Sequence, residues 1–132
     1  MLQLSVIIFR NEEGKILLQY RDSGPPMDPL SWSLFGGSVE AGETPTEGVL
    51  REMKEELGLE LLPTDVRLLS ETVRTLPDGR HQTVYFFEGV QPLVWGMFLI
   101  HEGAGAAFLT KDEIAKMASV TDLARTLVAA HG

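Results

Sequence analysis

The sequence predicts an α/β fold in which a mixed β-sheet is covered by helices. Segments in which apolar and polar residues alternate, as is typical of strands, lie on both sides of a capped amphipathic segment that is typical of a helix. These patterns do not alternate one for one, as they would in a parallel βαβ sheet. With 132 residues, of which 44% are hydrophobic, the chain is expected to form a single domain over residues 1–132.

The N-terminal part predicts two strands joined by a turn. Residues 2–9 alternate between apolar and polar side chains before both faces become apolar, which predicts a strand entering the core. Residues 10–14 end in glycine and predict a hairpin turn, after which residues 15–20 return as the second strand. Residues 22–28 are rich in proline and predict a loop, and residues 32–35 predict a short extended segment that runs into two glycines.

A helix is predicted between Thr44 and Gly58. Thr44 is a typical N-cap, Pro45 suits the first helical position, and Glu47 completes a capping box. Glycine is the usual residue just after the last turn, so Gly58 is expected to end the helix. Apolar residues at four-residue spacing predict one core-facing stripe: Val49, Met53 and Leu57.

The second half of the chain predicts a hairpin, one further strand and two helices. The hairpin strands are expected over residues 66–76 and 82–90, which are rich in Val, Thr, Tyr and Phe. The apolar run Leu93–Ile100 predicts the next strand, because it is far shorter than the roughly 20 residues that cross a bilayer. Two C-terminal helices are predicted, over residues 110–117 and 121–130.

Composition excludes several classes of function. The chain has 11 basic and 19 acidic residues, and a net charge of −8 repels polyanions, so binding to nucleic acid or to an anionic membrane is not expected. The absence of cysteine excludes disulfides, thiolate metal sites and thiol nucleophiles. No leading segment has the pattern of an export signal, so a cytoplasmic location is expected.

The negative charge is concentrated in residues 40–60, which hold seven glutamates against two basic residues. On the predicted helix, Glu52, Glu55 and Glu56 stand at i, i+3 and i+4, so their carboxylates are expected on one face, opposite the apolar stripe. Hard anionic oxygens suit Mg²⁺ or Mn²⁺, whose remaining positions the phosphates of a substrate can fill. A solvated acidic face is the alternative interpretation.

The spacing of residues 37–59 resembles the Nudix box, Gly-x5-Glu-x7-Arg-Glu-U-x-Glu-Glu-x-Gly-U, where U is a bulky aliphatic residue. All seven fixed positions match: Gly37, Glu43, Arg51, Glu52, Glu55, Glu56 and Gly58. Met53 stands where Ile, Leu or Val is usual, which keeps the hydrophobicity, and Phe35 stands where many members of the family carry proline. The resemblance implies a Nudix-type α/β/α sandwich.

The resemblance also implies hydrolysis of a nucleoside diphosphate linked to another moiety X. A MutT-like nucleoside triphosphate pyrophosphatase is the preferred interpretation, while ADP-ribose, sugar nucleotides and dinucleoside polyphosphates stay open as substrates. In a different class, a non-catalytic nucleotide-sensing domain is the alternative. A homodimer also stays open, because the apolar run around Trp95 and Phe98 could cover a second copy as readily as a core.

The resemblance assigns roles to residues of the box. The metal ligands would be the Gly37 carbonyl and three carboxylates on Mg²⁺, with Mn²⁺ as the alternative ion: Glu52, Glu55 and Glu56. Arg51 and Glu43 would pair and orient the loop and the helix. The general base stays open between Glu52 and Glu102, and Glu102 could instead be a metal ligand or a loop charge.

Residues outside the box are candidates for contacts with the rest of the substrate. One aromatic side chain is expected to stack on the nucleobase, from a pool of four: Trp32, Phe35, Tyr85 and Phe87. Arg21 and Arg74 are candidate phosphate contacts, His101 is a weak catalytic candidate beside Glu102, and Glu40 is left unassigned.

Overall fold

Within residues 2–21, 31–94, 96–98 and 104–131, which a computed structural model describes, the chain forms seven strands and three α-helices. The strands are β1 (Leu2–Ile8), β2 (Ile16–Arg21), β3 (Ser31–Ser33), β4 (Phe35–Ser38), β5 (Val66–Thr75), β6 (His81–Gly89) and β7 (Ala104–Leu109). The helices are α1 (Pro45–Leu57), α2 (Lys111–Lys116) and α3 (Asp122–His131). None of the helices in the described ranges is long and apolar enough to span a bilayer.

The strands are divided between two sheets. A four-stranded mixed sheet has the order β4-β1-β6-β5, in which β1 runs parallel to β6 and the other pairs are antiparallel. A three-stranded antiparallel sheet has the order β3-β2-β7. The α/β class and the mixed sheet are confirmed, but the strands do not form one sheet. They divide because β3 and β4, which are separated by Leu34 alone, pair with different neighbours.

Two apolar cores lie on opposite sides of the strands. Successive residues of β1 alternate between them: Val6 and Ile8 pack with α3, whereas Ile7 packs with α1. The predicted stripe of α1 is confirmed, since Val49, Met53 and Leu57 are all fully buried in the second core. This packing fixes the side of the sheet on which the acidic helix lies.

The local signals of α1 form as predicted. The Thr44 hydroxyl accepts a hydrogen bond from the Glu47 amide at 3.1 Å, and the Glu47 carboxylate accepts one from the Thr44 amide at 2.8 Å. Gly58 ends the helix in the left-handed region, with φ of 66°. A second capping box, at Thr110, starts α2 in the same way.

The predicted strand over Leu93–Ile100 is wrong in the residues that the structure describes. Gly96 has φ of 97° and lies in a turn that the amide of Met97 closes on the carbonyl of Val94 at 3.2 Å. The last strand is instead β7, over residues for which the sequence predicted no strand. The run of alanine and glycine at residues 104–107 forms part of this strand because the whole of β2 pairs with it, and such long-range pairing overrides local propensity.

Candidate active site

Arg51 is the centre of a hydrogen-bond network that joins α1 to the segment before it. Its Nη2 donates to Glu43 Oε1 at 2.8 Å and to the Ser38 carbonyl at 3.0 Å, while Nε donates to Glu43 Oε2 at 3.1 Å. Its Nη1 donates to Glu52 Oε1 at 3.0 Å and to Glu55 Oε2 at 3.2 Å. The predicted pairing of Arg51 with Glu43 is therefore present.

The Arg51 and Glu43 charges stabilise each other. Hydrogen bonds from Arg51, followed by one from the Glu40 amide at 2.8 Å, lower the pKa of the Glu43 carboxyl. Hydrogen bonding to Glu43 raises the pKa of Arg51 above its ordinary range, although burial works against the rise. Both groups stay charged at neutral pH, so the segment from Ser38 to Glu43 is held to the helix by charge-assisted hydrogen bonds.

Gly37 lies directly against the carboxylate of Glu52. A Cβ on Gly37 would lie 2.5 Å from Glu52 Cδ, so no larger residue fits without moving that carboxylate. The position of β4 is set by its pairing with β1, where Gly37 stands opposite Ser5. The Ser5 hydroxyl in turn donates a hydrogen bond to the Pro45 carbonyl at 2.8 Å, at the start of α1. The strands β1 and β4 and the helix α1 are therefore in contact around Gly37.

The three helix carboxylates differ in exposure. The side chain of Glu52 is 15% exposed and that of Glu55 is 58% exposed, while Glu56 is partly buried with Oε2 shielded from solvent. The expectation that all three lie opposite the apolar stripe is wrong for Glu52 and Glu56, which are both partly buried. Residues seven apart differ by only about 20° in their direction around a helix, so Glu56 lies on nearly the same side of α1 as the buried Val49. The carboxylates extend from the edge of the buried face into solvent.

In the part of the chain that the structure describes, no three acidic or histidine side chains are close enough to hold a metal ion as they stand. Arg51 accounts for part of this arrangement, because its Nη1 holds one oxygen each of Glu52 and Glu55. The donor set nevertheless fits a hard divalent cation. It offers carboxylate oxygens from one helix flank, beside a backbone segment that carries no side chain at Gly37.

The other candidates divide between described and undescribed residues. Glu102 and His101 lie outside the described residues, as does the side chain of Arg21. Arg74 donates to Gln82 Oε1 on the neighbouring strand at 2.7 Å.

Two of the four aromatic side chains considered for nucleobase stacking are buried. Phe35 and Phe87 are each 2% exposed and belong to the core under α1. Trp32 and Tyr85 remain partly buried, and the Trp32 ring packs 5.1 Å from that of Tyr20. Phe98, considered for a dimer surface, is buried in the chain's own core against Phe108. Trp95, the other residue of that prediction, lies outside the described residues, so a homodimer stays a prediction.

The structure adds two participants to the site. The Ser38 carbonyl accepts from Arg51, and the unassigned Glu40 lies 3.6 Å from Arg51 Nη1 and donates its backbone amide to Glu43. Neither stands at a fixed position of the motif, and the Ser38 carbonyl leaves no signature in the sequence because any residue could supply a backbone acceptor. The excess of glutamates around Arg51 was the available signal for Glu40.

Comparison with known proteins decides the family. The model of the NUDIX domain matches residues 1–127. The chain belongs to the NUDIX domain family. Within this NUDIX domain, the residues that form the Arg51 network and the Gly37 contact are those of the predicted box.

Curated relatives of this NUDIX domain match over part of their length. A nucleoside triphosphatase NudI of Klebsiella pneumoniae is 39% identical over 77 residues, which are 55% of this chain and 55% of that protein. An 8-oxo-dGTP diphosphatase of Escherichia coli is 37% identical over 87 residues, 65% of this chain and 64% of that protein. The chain spans less than two thirds of these relatives.

A solved structure extends the likeness of fold to nearly the whole chain. The MutT protein of Methanosarcina mazei matches with a TM-score of 0.82 at 22% identity, covering 98% of this chain and 91% of the other. The two-sheet arrangement with its helices is therefore the NUDIX fold.

Proposed function

We propose that this domain hydrolyses a nucleoside triphosphate to a nucleoside monophosphate and pyrophosphate. The observation that carries the proposal is the contact between Gly37 and the Glu52 carboxylate, next to the Arg51 network. The printed names of the two curated relatives, a nucleoside triphosphatase and an 8-oxo-dGTP diphosphatase, support this substrate class. Residues 1–132 are proposed to act as one domain.

NUDIX hydrolases generally need divalent metal ions, and we propose Mg²⁺, with Mn²⁺ as an alternative. The oxygens of Glu52, Glu55 and Glu56 and the Gly37 carbonyl would hold it. A bound divalent cation neutralises phosphate charge and lowers the pKa of a coordinated water. With a net charge of −8, the chain needs such neutralisation to accept a polyanionic substrate.

The protein's own side chains provide orientation and proton transfer. The oxygen of water attacks the α- or the β-phosphorus, and the anhydride P–O bond that joins the two breaks. The leaving group, which is pyrophosphate in the first case and the nucleoside monophosphate in the second, takes the bonding electron pair. The proton of the attacking water passes to a carboxylate, for which Glu52 and Glu102 are the candidates. Arg51 and Glu43 do not react; they hold the segment from Ser38 to Glu43 against α1 through the hydrogen bonds described above.

The test compares phosphate and pyrophosphate release from a substrate panel, with and without Mg²⁺ or Mn²⁺. The panel contains nucleoside triphosphates, 8-oxo-dGTP, ADP-ribose, a sugar nucleotide and a dinucleoside polyphosphate. Pyrophosphate release from a nucleoside triphosphate, dependent on the cation, is the expected result. Turnover confined to another compound reassigns the substrate, and ligand-induced thermal stabilisation without turnover of any compound favours the nucleotide-sensing alternative.

A matched pair of variants ties the activity to the helix. Glu56→Gln is expected to remove most turnover while the fold is retained, because the variant loses a negative charge from the proposed cation site. Glu60→Gln is the control, since Glu60 lies just beyond the same helix and its side chain is 80% exposed. Equal activity of the two variants would show that Glu56 is not part of the site.

A further inference from the structure

The chain passes from one sheet to the other at a single residue, Leu34. Ser33 ends β3 in the three-stranded sheet and Phe35 begins β4 in the four-stranded sheet, and Leu34 has a partner in neither ladder. Its carbonyl instead accepts a hydrogen bond from Gln19 Nε2 at 2.9 Å. A side chain of β2 therefore holds the point at which the chain changes sheets.

Gln19 is an unusual residue for its position. It is 7% exposed, and it stands between Ser33 of β3 and Ala106 of β7 in the ladder. Leu17, two residues earlier on the same face, is fully buried in the core under α1. Burying an amide costs free energy unless it is hydrogen-bonded, so the bond to Leu34 is the interaction that offsets this cost.

The held carbonyl lies just before the two glycines of β4. Gly36 has φ of 144°, and a Cβ there would lie 2.8 Å from Val6 Cα, so β4 packs closely on β1 at this residue. Gly37 follows, in contact with the Glu52 carboxylate. β4 has only four residues, so a shift at its first residue is transmitted to Gly37.

We propose that Gln19 is a positioning residue for the active site. Through the Leu34 carbonyl it holds β4 so that Gly37 lies against the carboxylate of Glu52. The inference rests on the proposed function, because the position of Gly37 matters if its carbonyl and the carboxylates bind a cation together. Gln19 itself contacts neither Gly37 nor Glu52 in any hydrogen bond of the described residues.

The main test replaces Gln19 by leucine, which has a similar size and donates no hydrogen bond. A displacement of about 1 Å at a reacting centre lowers rates by up to about a hundredfold, so we expect Gln19→Leu to lower kcat by tenfold to a hundredfold. The KM for the nucleotide should change less than about threefold. Ser33→Ala is the matched control, because the buried Ser33 hydroxyl has no hydrogen-bond partner among the described residues and its loss should leave kcat unchanged.

Two readouts besides activity separate positioning from general destabilisation. Titration of the protein with Mn²⁺ should show at least about tenfold weaker binding in Gln19→Leu than in Ser33→Ala. The amide resonances of Gly36 and Gly37 should move in Gln19→Leu and stay in place in Ser33→Ala. If Gln19→Leu does not fold, Gln19→Glu serves instead. The neutral acid donates to the Leu34 carbonyl and the carboxylate does not, so its kcat relative to wild type should recover as pH falls.

The outcomes distinguish this inference from the proposed function. Wild-type protein that binds no Mn²⁺ and hydrolyses no compound of the panel refutes the proposed function. Wild-type protein that is active, together with Gln19→Leu that keeps its kcat, its Mn²⁺ binding and its Gly37 resonance, overturns the role of Gln19 alone. A uniform loss of stability with unchanged kcat in the folded fraction overturns it as well.

Discussion

Replacement of Gly37 by alanine should abolish most activity while leaving the fold intact. The added Cβ would lie 2.5 Å from Cδ of Glu52. Carbon atoms that are not bonded to each other approach to about 3.5–4.0 Å, so the carboxylate must move by about 1 Å or more. A misplacement of that size in an active site costs about a hundredfold in rate, which is the fall in kcat that we expect.

The stability of this variant should change little for two structural reasons. Gly37 is not among the glycines with positive φ, so alanine is compatible with its backbone. The atoms that the methyl group meets belong to the end of a long flexible side chain, which can rotate away. We expect the free energy of unfolding to change by less than about 0.5 kcal/mol.

Two other glycine-to-alanine substitutions control the experiment. In Gly105→Ala the nearest atom to the new Cβ is 3.9 Å away, so both activity and stability should match wild type. In Gly36→Ala the new Cβ meets the backbone of β1 at a φ of 144°, so the fold itself should be destabilised. The assay pairs steady-state turnover of the preferred nucleotide with urea denaturation. A Gly37→Ala protein with kcat within about threefold of wild type would refute the reasoning.

Three further predictions follow from the contacts of α1. Hydrogen bonds from Arg51 lower the pKa of Glu43 in the folded state. At pH values above the pKa that Glu43 has in the unfolded chain, its carboxylate therefore stabilises the fold, and this stabilisation is lost as the pH falls through the lower pKa of the folded state. The melting temperature of wild type should therefore fall more steeply than that of Glu43→Gln on acidification below about pH 4.3. Met53→Ala empties a fully buried position and should lower the free energy of unfolding by about 2–5 kcal/mol in urea denaturation. In Gly58→Ala the new Cβ contacts no other atom, but the alanine is held at a φ of 66°, so the free energy of unfolding should fall by about 1–2 kcal/mol. The kcat of the folded protein should stay unchanged in a turnover assay.

Features that depend on neighbours in sequence were predictable. The capping box of Thr44 and Glu47, the stripe of α1 and the C-terminal glycine each require contacts within one or two helical turns, so the pattern of residues specifies them. The Arg51–Glu43 pair spans eight residues and was expected only because the spacing resembles a known motif.

Features that depend on distant strands were not predictable. Four of the six residues of β7 are alanine or glycine, and the strand forms because β2 pairs with it from 83 or more residues earlier in the chain. In the apolar run before it, the described residues Leu93 and Phe98 are buried and Val94 and Met97 are exposed, and none of the four lies in a strand, because apolar composition does not specify backbone conformation. The change of sheet at Leu34 leaves no trace in the sequence, and the buried polar Gln19 becomes interpretable only when its hydrogen-bond partner is known.

The two ends of the Arg51 guanidinium have separable tasks. Nε and Nη2 donate to Glu43 and to the Ser38 carbonyl, neither of which is a proposed cation ligand. Nη1 donates to oxygens of Glu52 and Glu55, which are both proposed cation ligands. If these carboxylate oxygens were to hold a cation, only the Nη1 hydrogen bonds would be lost, and those of Nε and Nη2 would stay. Arg51 would then neutralise the helix carboxylates when no cation is bound and hold the segment before α1 in both cases. Lysine, with one compact ammonium group, cannot bind at both ends at once.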